Sequence, residues 1–318
     1  CNWSRSLIKL LIILLSLFQI LFSQTFSDFS FVGARSIGSA GSIVSNPNSS
    51  ECSFYNPAGL VMTENYSLHL GKTSLYGIDF LEHNFISINI PVKNTGITLS
   101  MQELSTSYSY NDNDDLGNEN WESFDGDLSK EKQFSFSQGI KLLNDQNSTL
   151  SIGYNINYYL TFQSASAGPQ GDGVGGISKG KSYALGLDFG LYSSLREKIS
   201  FGAFVKNINS PRESKGSSNV YYPRKMDIGI GYKPFKGLYT NFSLNRLLGT
   251  DESSFRFGFE YLVTKQFTMR SGVQINSNNN RFGIGFTVNG TIFSVSYGLL
   301  THPLLDITNV LDVKFYVK

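Results

Sequence analysis

The chain has 318 residues and a formal net charge of +1, and only 16% of its residues are charged. This balance argues against a nucleic-acid partner, because nucleic-acid-binding proteins usually present a basic stripe. The charged fraction is below the roughly 25% that is typical of soluble domains, whereas 25 Phe, 17 Tyr and 31 Gly residues are present. Such a composition suits an all-β protein whose surface meets something other than water.

The first predicted element is a signal peptide at residues 1–24, removed after export. Arg5 and Lys9 lie at the start of an apolar run that continues over residues 10–22, which is the layout of a secretory signal peptide. The alternative is a transmembrane anchor, but the run is shorter than the ~20 residues that a membrane-spanning helix prefers. We therefore expect cleavage near residues 23–24.

The second predicted region, residues 25–65, is rich in Gly, Ser and Ala and ends in the stretch "SFYNPAGL". Asn56 is a favourable N-cap residue and Pro57 suits the first position of a helix, so one or two short helical turns are predicted there. Small residues let the backbone pack tightly in a confined space. A segment of this kind, placed just before the first strand, can fold back into a barrel mouth as a plug or hatch.

Residues 66–318 form the third predicted region, in which apolar and polar residues alternate. In "FRFGFEYLV", for example, Phe255, Phe257 and Phe259 share one face, whereas Arg256 and Glu260 lie on the other. Side chains alternate between the two faces of a strand, so each segment has one apolar and one polar face. About fourteen strands are predicted, near residues 66–76, 83–92, 95–105, 132–143, 147–161, 181–194, 197–207, 224–233, 237–247, 252–263, 265–276, 280–289, 291–300 and 307–317.

Tight connections alternate with mostly longer ones along these predicted strands. Antiparallel barrels of the bacterial outer membrane show this asymmetry, with tight periplasmic turns and longer outer loops. A soluble β-sandwich also alternates apolar and polar residues, but it does not require all of its loops to follow one parity. We therefore predict an all-β transmembrane antiparallel barrel in the outer membrane. Its apolar faces meet lipid, its polar faces line the lumen, and both termini are periplasmic.

The predicted lumen face carries charges of both signs. They allow two interpretations, either a salt-bridge lattice that fills a narrow barrel or a polar lining for a conduit. The mixing of signs on neighbouring strands favours the lattice. The predicted lumen charges are Lys141, Asp188, Lys206, Asp227, Arg256, Glu260 and Arg270, and the last strand adds Asp312 and Lys314.

No catalytic constellation is visible in the sequence. The stretch "GGISKGKS" at residues 175–182 has P-loop spacing but precedes an alternating strand, whereas a P-loop opens a helix. Cys52 is the only cysteine left after the signal peptide is removed, and His69, His83 and His302 lie far apart. We therefore predict that the protein is not an enzyme and has no cofactor or metal site.

Two parts of the sequence resemble a known family of outer-membrane barrels. The N-terminal region resembles the hatch of the FadL superfamily, and within it the PorV/PorQ-type proteins. The stretches "FRFGFEYLVTKQFTMRSGVQ" and "FSVSYGLLTHPLLDITNVLDVKF" are similar to the last strands of that family. The residues that carry the hatch resemblance are Gly33, Ala34, Arg35, Gly38, Gly41, Asn56, Pro57, Ala58, Gly59 and Leu60.

The resemblance implies two functions, neither of them catalytic. PorV/PorQ-type proteins act with the type IX secretion machinery and hold secreted cargo at the outer face, which makes secretion or surface attachment the first hypothesis. FadL-type members admit hydrophobic small molecules such as long-chain fatty acids passively, with the hatch gating the route, which is the alternative. The implied partners are outer-membrane lipid, together with secretion or cargo proteins or with hydrophobic solutes.

Overall fold

The computed structural model describes residues 31–47, 50–110, 124–165, 179–214, 221–276 and 280–317. The predicted signal peptide lies outside these ranges. Within them there is no helix with the length and apolar character of a membrane span.

Fourteen antiparallel strands form one closed barrel, which confirms the predicted fold class and strand number. Every strand pairs with its neighbours in sequence, and β1 also pairs with β14, with Tyr66 opposite Val317. The strands are β1 (Tyr66–Ser74), β2 (Leu81–Val92), β3 (Thr95–Tyr110), β4 (Phe124–Asn144), β5 (Ser148–Gln163), β6 (Gly180–Leu195), β7 (Ile199–Lys206), β8 (Arg224–Tyr232), β9 (Leu238–Leu248), β10 (Ser253–Leu262), β11 (Phe267–Asn276), β12 (Arg281–Asn289), β13 (Phe293–Leu300) and β14 (Thr308–Val317).

The alternation read from the sequence is an alternation between the outside and the inside of the barrel. In β10, Phe255, Phe257 and Phe259 are 40–49% exposed, whereas Arg256 between them is 4% exposed. The outer surface is therefore apolar and the inner surface polar, which is the arrangement a barrel needs in lipid. Closure of the sheet pairs the backbone groups that an open edge would leave without partners in the hydrocarbon.

The two ends of the barrel differ in their connections. At one end, the short-turn end, strands are joined by residues 93–94, 145–147, 196–198, 233–237, 263–266 and 290–292. At the other, the long-loop end, the connections are residues 75–80, 111–123, 164–179, 207–223, 249–252, 277–280 and 301–307. β1 begins and β14 ends at the short-turn end, as the even strand number predicts. That this end faces the periplasm stays a prediction.

Strands β3 and β4 are longer than the sequence pattern predicts. Their pairing continues through a register shift after Thr106 to the pair Tyr110 and Phe124. The sequence pattern predicts no strand between residues 105 and 132, where the chain is acidic and rich in Asn. A strand that extends beyond the lipid has no need of an apolar face. Hydropathy therefore marks only the part of each strand that contacts lipid.

Residues 31–47 and 50–63, which we call the inner segment, pack inside the barrel. They contain helix α1 (Ala34–Gly38), helix α2 (Cys52–Tyr55) and a 3₁₀ helix (Pro57–Met62). The side chain of Asn56 accepts a hydrogen bond from the Ala58 N–H and Pro57 occupies the first turn, which confirms the predicted helix start. Most residues of the inner segment are buried. Its role as a hatch stays a prediction.

Candidate functional site

Glycines on the inner face of the barrel lie directly against the inner segment. A methyl group added at Gly139 would lie 2.6 Å from the Pro57 carbonyl oxygen, and one at Gly298 would lie 2.8 Å from the Ala34 carbonyl oxygen. Neither position has room for a side chain. We call the inward glycines that contact the inner segment in this way the glycine belt; they are Gly96, Gly139, Gly153, Gly190, Gly202, Gly258, Gly272, Gly283, Gly285 and Gly298.

The belt explains why the polar faces of the strands are so rich in glycine. At every belt position except Gly190, a larger residue would meet backbone atoms of the inner segment, which cannot move aside as a flexible side chain can; at Gly190 it would meet the Asn56 and Pro57 side chains. Close approach of two backbones is a common reason for glycine within a strand. The barrel wall is therefore shaped to hold this segment.

An ion-pair triad of Arg35, Glu260 and Arg270 fixes helix α1 to the barrel wall. Glu260 Oε2 accepts hydrogen bonds from Arg35 Nε at 3.0 Å and from Arg270 Nε at 2.7 Å. Arg270 also donates to Thr287 Oγ1 at 2.6 Å. The Arg35 and Arg270 side chains are 6% and 8% exposed, so the two guanidinium groups are shielded from water. The structure thus joins one predicted hatch residue to two predicted lumen charges.

Asn56 fixes the second half of the inner segment. Its Nδ2 donates to the Val44 carbonyl oxygen within the segment and to the Leu191 carbonyl oxygen of β6, each at 3.0 Å. Nearby, Asn155 Nδ2 of β5 donates to the Ser53 carbonyl oxygen at 2.8 Å. Polar side chains of the wall therefore satisfy backbone groups that the short helices of the segment leave unpaired.

The other predicted lumen charges take different places. Asp227 pairs with Arg256 at 3.5 Å. Asp188 is 3% exposed and accepts a hydrogen bond from the Asn207 N–H at 2.8 Å. Lys141 contributes to the wall of a cavity of about 720 Å³ at the short-turn end, which Glu260 also lines. Lys206 is partly buried at the end of β7. Four of the seven charges thus pair with one another, as the lattice interpretation expects.

A chain of amide hydrogen bonds crosses the inner wall from β2 to β6. Each donor reaches the next acceptor at 2.6–3.3 Å, and the network ends at the Asp188 carboxylate. Such networks are costly unless every member is satisfied. The residues in order are His83, Gln102, Gln133, Asn157 and Asp188. Alternation placed these positions on the polar face, but no motif in the sequence marked them as a network.

At the long-loop end, two tyrosines hold the 207–223 connection against the wall. The rings of Tyr159 and Tyr222 stack with centroids 4.2 Å apart. Tyr159 donates to Asn207 Oδ1 at 2.8 Å, and the Tyr222 hydroxyl lies 3.1 Å from Thr161 Oγ1. Burial raises the pKa of Tyr222, which therefore stays a neutral hydrogen-bonding group.

Comparison with known proteins identifies the fold. No family model matches the sequence, and no curated protein matches it. The crystal structure of the Ralstonia pickettii toluene transporter TbuX matches with a TM-score of 0.65 and 12% identity, over 92% of this chain and 100% of that one. The CymD monoaromatic hydrocarbon channel matches with a TM-score of 0.66 and 11% identity, over 91% of this chain and 98% of that one. A Pseudomonas aeruginosa FadL homologue matches with a TM-score of 0.54 and 12% identity, over 90% of this chain and 99% of that one.

Identities this low establish a shared fold and no shared chemistry. The FadL homologue agrees with the superfamily resemblance at the level of the fold. TbuX is a toluene transporter and CymD is a monoaromatic hydrocarbon channel, and none of the three structures is of the PorV/PorQ type.

Proposed function

We propose that the protein is a passive outer-membrane channel for hydrophobic small molecules and that the inner segment gates it. The observation that carries this proposal is the inner segment itself, which lies within a closed barrel on a glycine belt shaped to receive it. Transport of toluene by TbuX and of monoaromatic hydrocarbons by CymD supports the solute class. The predicted alternative of a FadL-type transporter thus becomes the main hypothesis.

Gating follows from the contacts that hold the inner segment. They are ion pairs and hydrogen bonds, such as those of Arg35 and Asn56. When such a contact is exchanged for contacts with water, the net cost is about 0.5–1.5 kcal/mol for a neutral hydrogen bond and about 1.5–3 kcal/mol for one to a charged group. The strands pair with each other rather than with the segment, so local release opens the bore while the wall stays intact. Passive flow requires no nucleotide site, and Gly180–Ser182 of the P-loop-like stretch begin strand β6.

The predicted PorV/PorQ-type role in type IX secretion gains no support from the similar structures. Capture of a secretion component or a cargo protein by the native protein in detergent would favour that role.

The transport proposal is tested with purified protein in liposomes. We expect uptake of toluene and of a fluorescent long-chain fatty acid above the rate of protein-free liposomes, and Glu260→Gln should increase it by loosening helix α1. Glu82→Gln, which alters an exposed ion pair with Lys72, is the matched control and should behave like the wild type. Equal uptake with and without protein, for the wild type and Glu260→Gln alike, would overturn the proposal.

We also propose that the barrel sits in the bacterial outer membrane with both termini in the periplasm. An epitope in the 301–307 connection of intact cells should bind antibody. One placed after residue 318 should bind only after the outer membrane is permeabilised. The reverse pattern would contradict the orientation.

A further inference from the structure

Three ionisable side chains from distant parts of the chain meet where β1 and β14 close the barrel. They are Glu51 of the inner segment, His69 of β1 and Asp312 of β14. His69 Nε2 lies 3.3 Å from Asp312 Oδ1 and 3.8 Å from Glu51 Oε1. One ligand atom from each residue lies within 4.8 Å of the others. All three residues are at most 3% exposed, so water does not share the site freely.

Contacts behind these groups fix how they face one another. His69 Nδ1 lies 3.3 Å from Ser50 Oγ, and the His69 ring meets Phe85 edge to face with centroids 4.9 Å apart. Asp312 Oδ2 accepts a hydrogen bond from the Ala34 N–H at 2.6 Å, which leaves Oδ1 turned toward the imidazole. Metal-binding histidines and carboxylates are oriented in this way by partners at their second nitrogen or oxygen.

The cluster places one imidazole nitrogen between two buried carboxylates. When Nδ1 donates to Ser50, Nε2 turns a lone pair toward two carboxylates. Within the described residues, the nearest acceptor to His69 Nε2 is Asp312 Oδ1 at 3.3 Å, and the contact lacks good hydrogen-bond geometry. Arg35, which is also hydrogen-bonded to Glu260, and Lys314 both lie in electrostatic range of Glu51. Burial makes such an arrangement costly unless the charge is compensated.

We propose that Glu51, His69 and Asp312 bind one divalent transition-metal ion of the Zn²⁺ class. One imidazole nitrogen and two carboxylate oxygens are donors that Zn²⁺ accepts. No metal site was predicted from the sequence, in which Glu51, His69 and Asp312 lie far apart. The metal ties the inner segment to both strands of the closing pair. The site does not rest on the proposed transport function.

The first test measures binding of the metal ion, with no solute present, to the full chain in detergent. After chelator treatment, we expect the folded protein to bind one equivalent of Zn²⁺ in competition with a chromogenic chelator. Co²⁺ at the same site should give the visible absorption of a low-coordinate nitrogen and oxygen site, and Zn²⁺ should abolish it. Neither readout involves a solute, so failure of the metal site and failure of transport are distinguishable.

The second test compares variants of equal size. His69→Gln, Glu51→Gln and Asp312→Asn should each weaken Zn²⁺ binding by at least about 10–100-fold. His83→Gln is the matched control, since His83 is also buried in the lumen, at 2% exposure on the adjacent strand, and should bind like the wild type. The difference in gel mobility between heated and unheated samples shows whether each variant is folded. If a ligand variant does not fold, Ser50→Ala is measured in its place. It should bind Zn²⁺ about tenfold more weakly than the wild type.

Two results would overturn the proposal. One is a folded wild type that binds less than one equivalent of Zn²⁺, or binds it no more tightly than His69→Gln. The other is an imidazolium signal of His69, seen by nuclear magnetic resonance, that Zn²⁺ leaves unchanged. In that case a proton rather than a metal compensates the two carboxylates.

Discussion

A single carboxylate, that of Glu260, compensates two guanidinium groups inside the barrel. Glu260→Gln removes its charge and leaves Arg35 and Arg270 facing each other in a shielded site. Removal of one partner from a buried pair typically destabilises a protein by roughly 3 kcal/mol or more. We expect a loss of about that size in the free energy of unfolding, measured by circular dichroism in urea.

The exposed pair of Lys72 and Glu82 is the control for this prediction. Its side chains are 62% and 36% exposed, although the two charged atoms lie 2.7 Å apart. Exposed ion pairs contribute about 0–1 kcal/mol, so Glu82→Gln should leave the unfolding curve almost unchanged. Equal destabilisation by the two variants would mean that burial does not set the strength of the Glu260 pairs.

Asn56 links the 3₁₀ helix, Val44 and β6 through one amide. Asn56→Ala removes the cap and leaves the Val44 and Leu191 carbonyl oxygens without this donor. A buried group that loses its partner costs about 1–3 kcal/mol. We expect faster proteolysis within residues 33–60 at an unchanged rate of barrel unfolding. A coupled increase in both rates would show that the segment and the barrel unfold as one unit.

At the scale of elements, the sequence predicts strands well wherever they contact lipid. Strand β10 was predicted at residues 252–263 and is found at Ser253–Leu262, because its phenylalanines must face outward at every second position. Alternation of apolar and polar residues does not predict the parts of β3 and β4 nearest the long-loop end. There water can solvate both faces and the alternation is lost.

The interior is harder to predict, since its contacts join residues that no local pattern connects. The helix start at Asn56 is a local signal and was predicted correctly. The meeting of Glu51, His69 and Asp312 depends on closure of β1 onto β14, which a one-dimensional pattern does not show. The sequence revealed the glycine-rich faces, but their use appears only when the inner segment is seen lying against them.

The glycine belt supplies a prediction for one strand. A methyl group at Gly202 would overlap the Val44 carbonyl oxygen, so Gly202→Ala should displace the inner segment and leave β7 paired. Overpacking of this kind costs about 1–3 kcal/mol. The control is Ala203→Val, which enlarges the next residue on the lipid-facing side. Protease cleavage within residues 33–60 should increase only for Gly202→Ala, and equal cleavage of the two variants would contradict the role of the belt.

At the scale of the whole molecule, the barrel and the inner segment are stabilised by different interactions. The wall is closed by backbone pairing around all fourteen strands, and its outer face is stabilised by lipid. The segment is held by side-chain hydrogen bonds, ion pairs and close backbone packing. A structure divided in this way can lose the second set of contacts and keep the first, which is the physical requirement for a gate inside a rigid pore.

Deletion of residues 33–60 tests this division directly. Because no strand pairs with the segment, the shortened protein should still fold and should keep the altered gel mobility of unheated barrels. It loses Arg35, but Glu260 keeps Arg270 as a partner, so the wall retains a compensated pair at that position. In planar bilayers we expect ion conductance well above that of the full chain, since water fills the space that the segment occupied. A folded deletion variant with the conductance of the full chain would show that the inner segment does not close the bore.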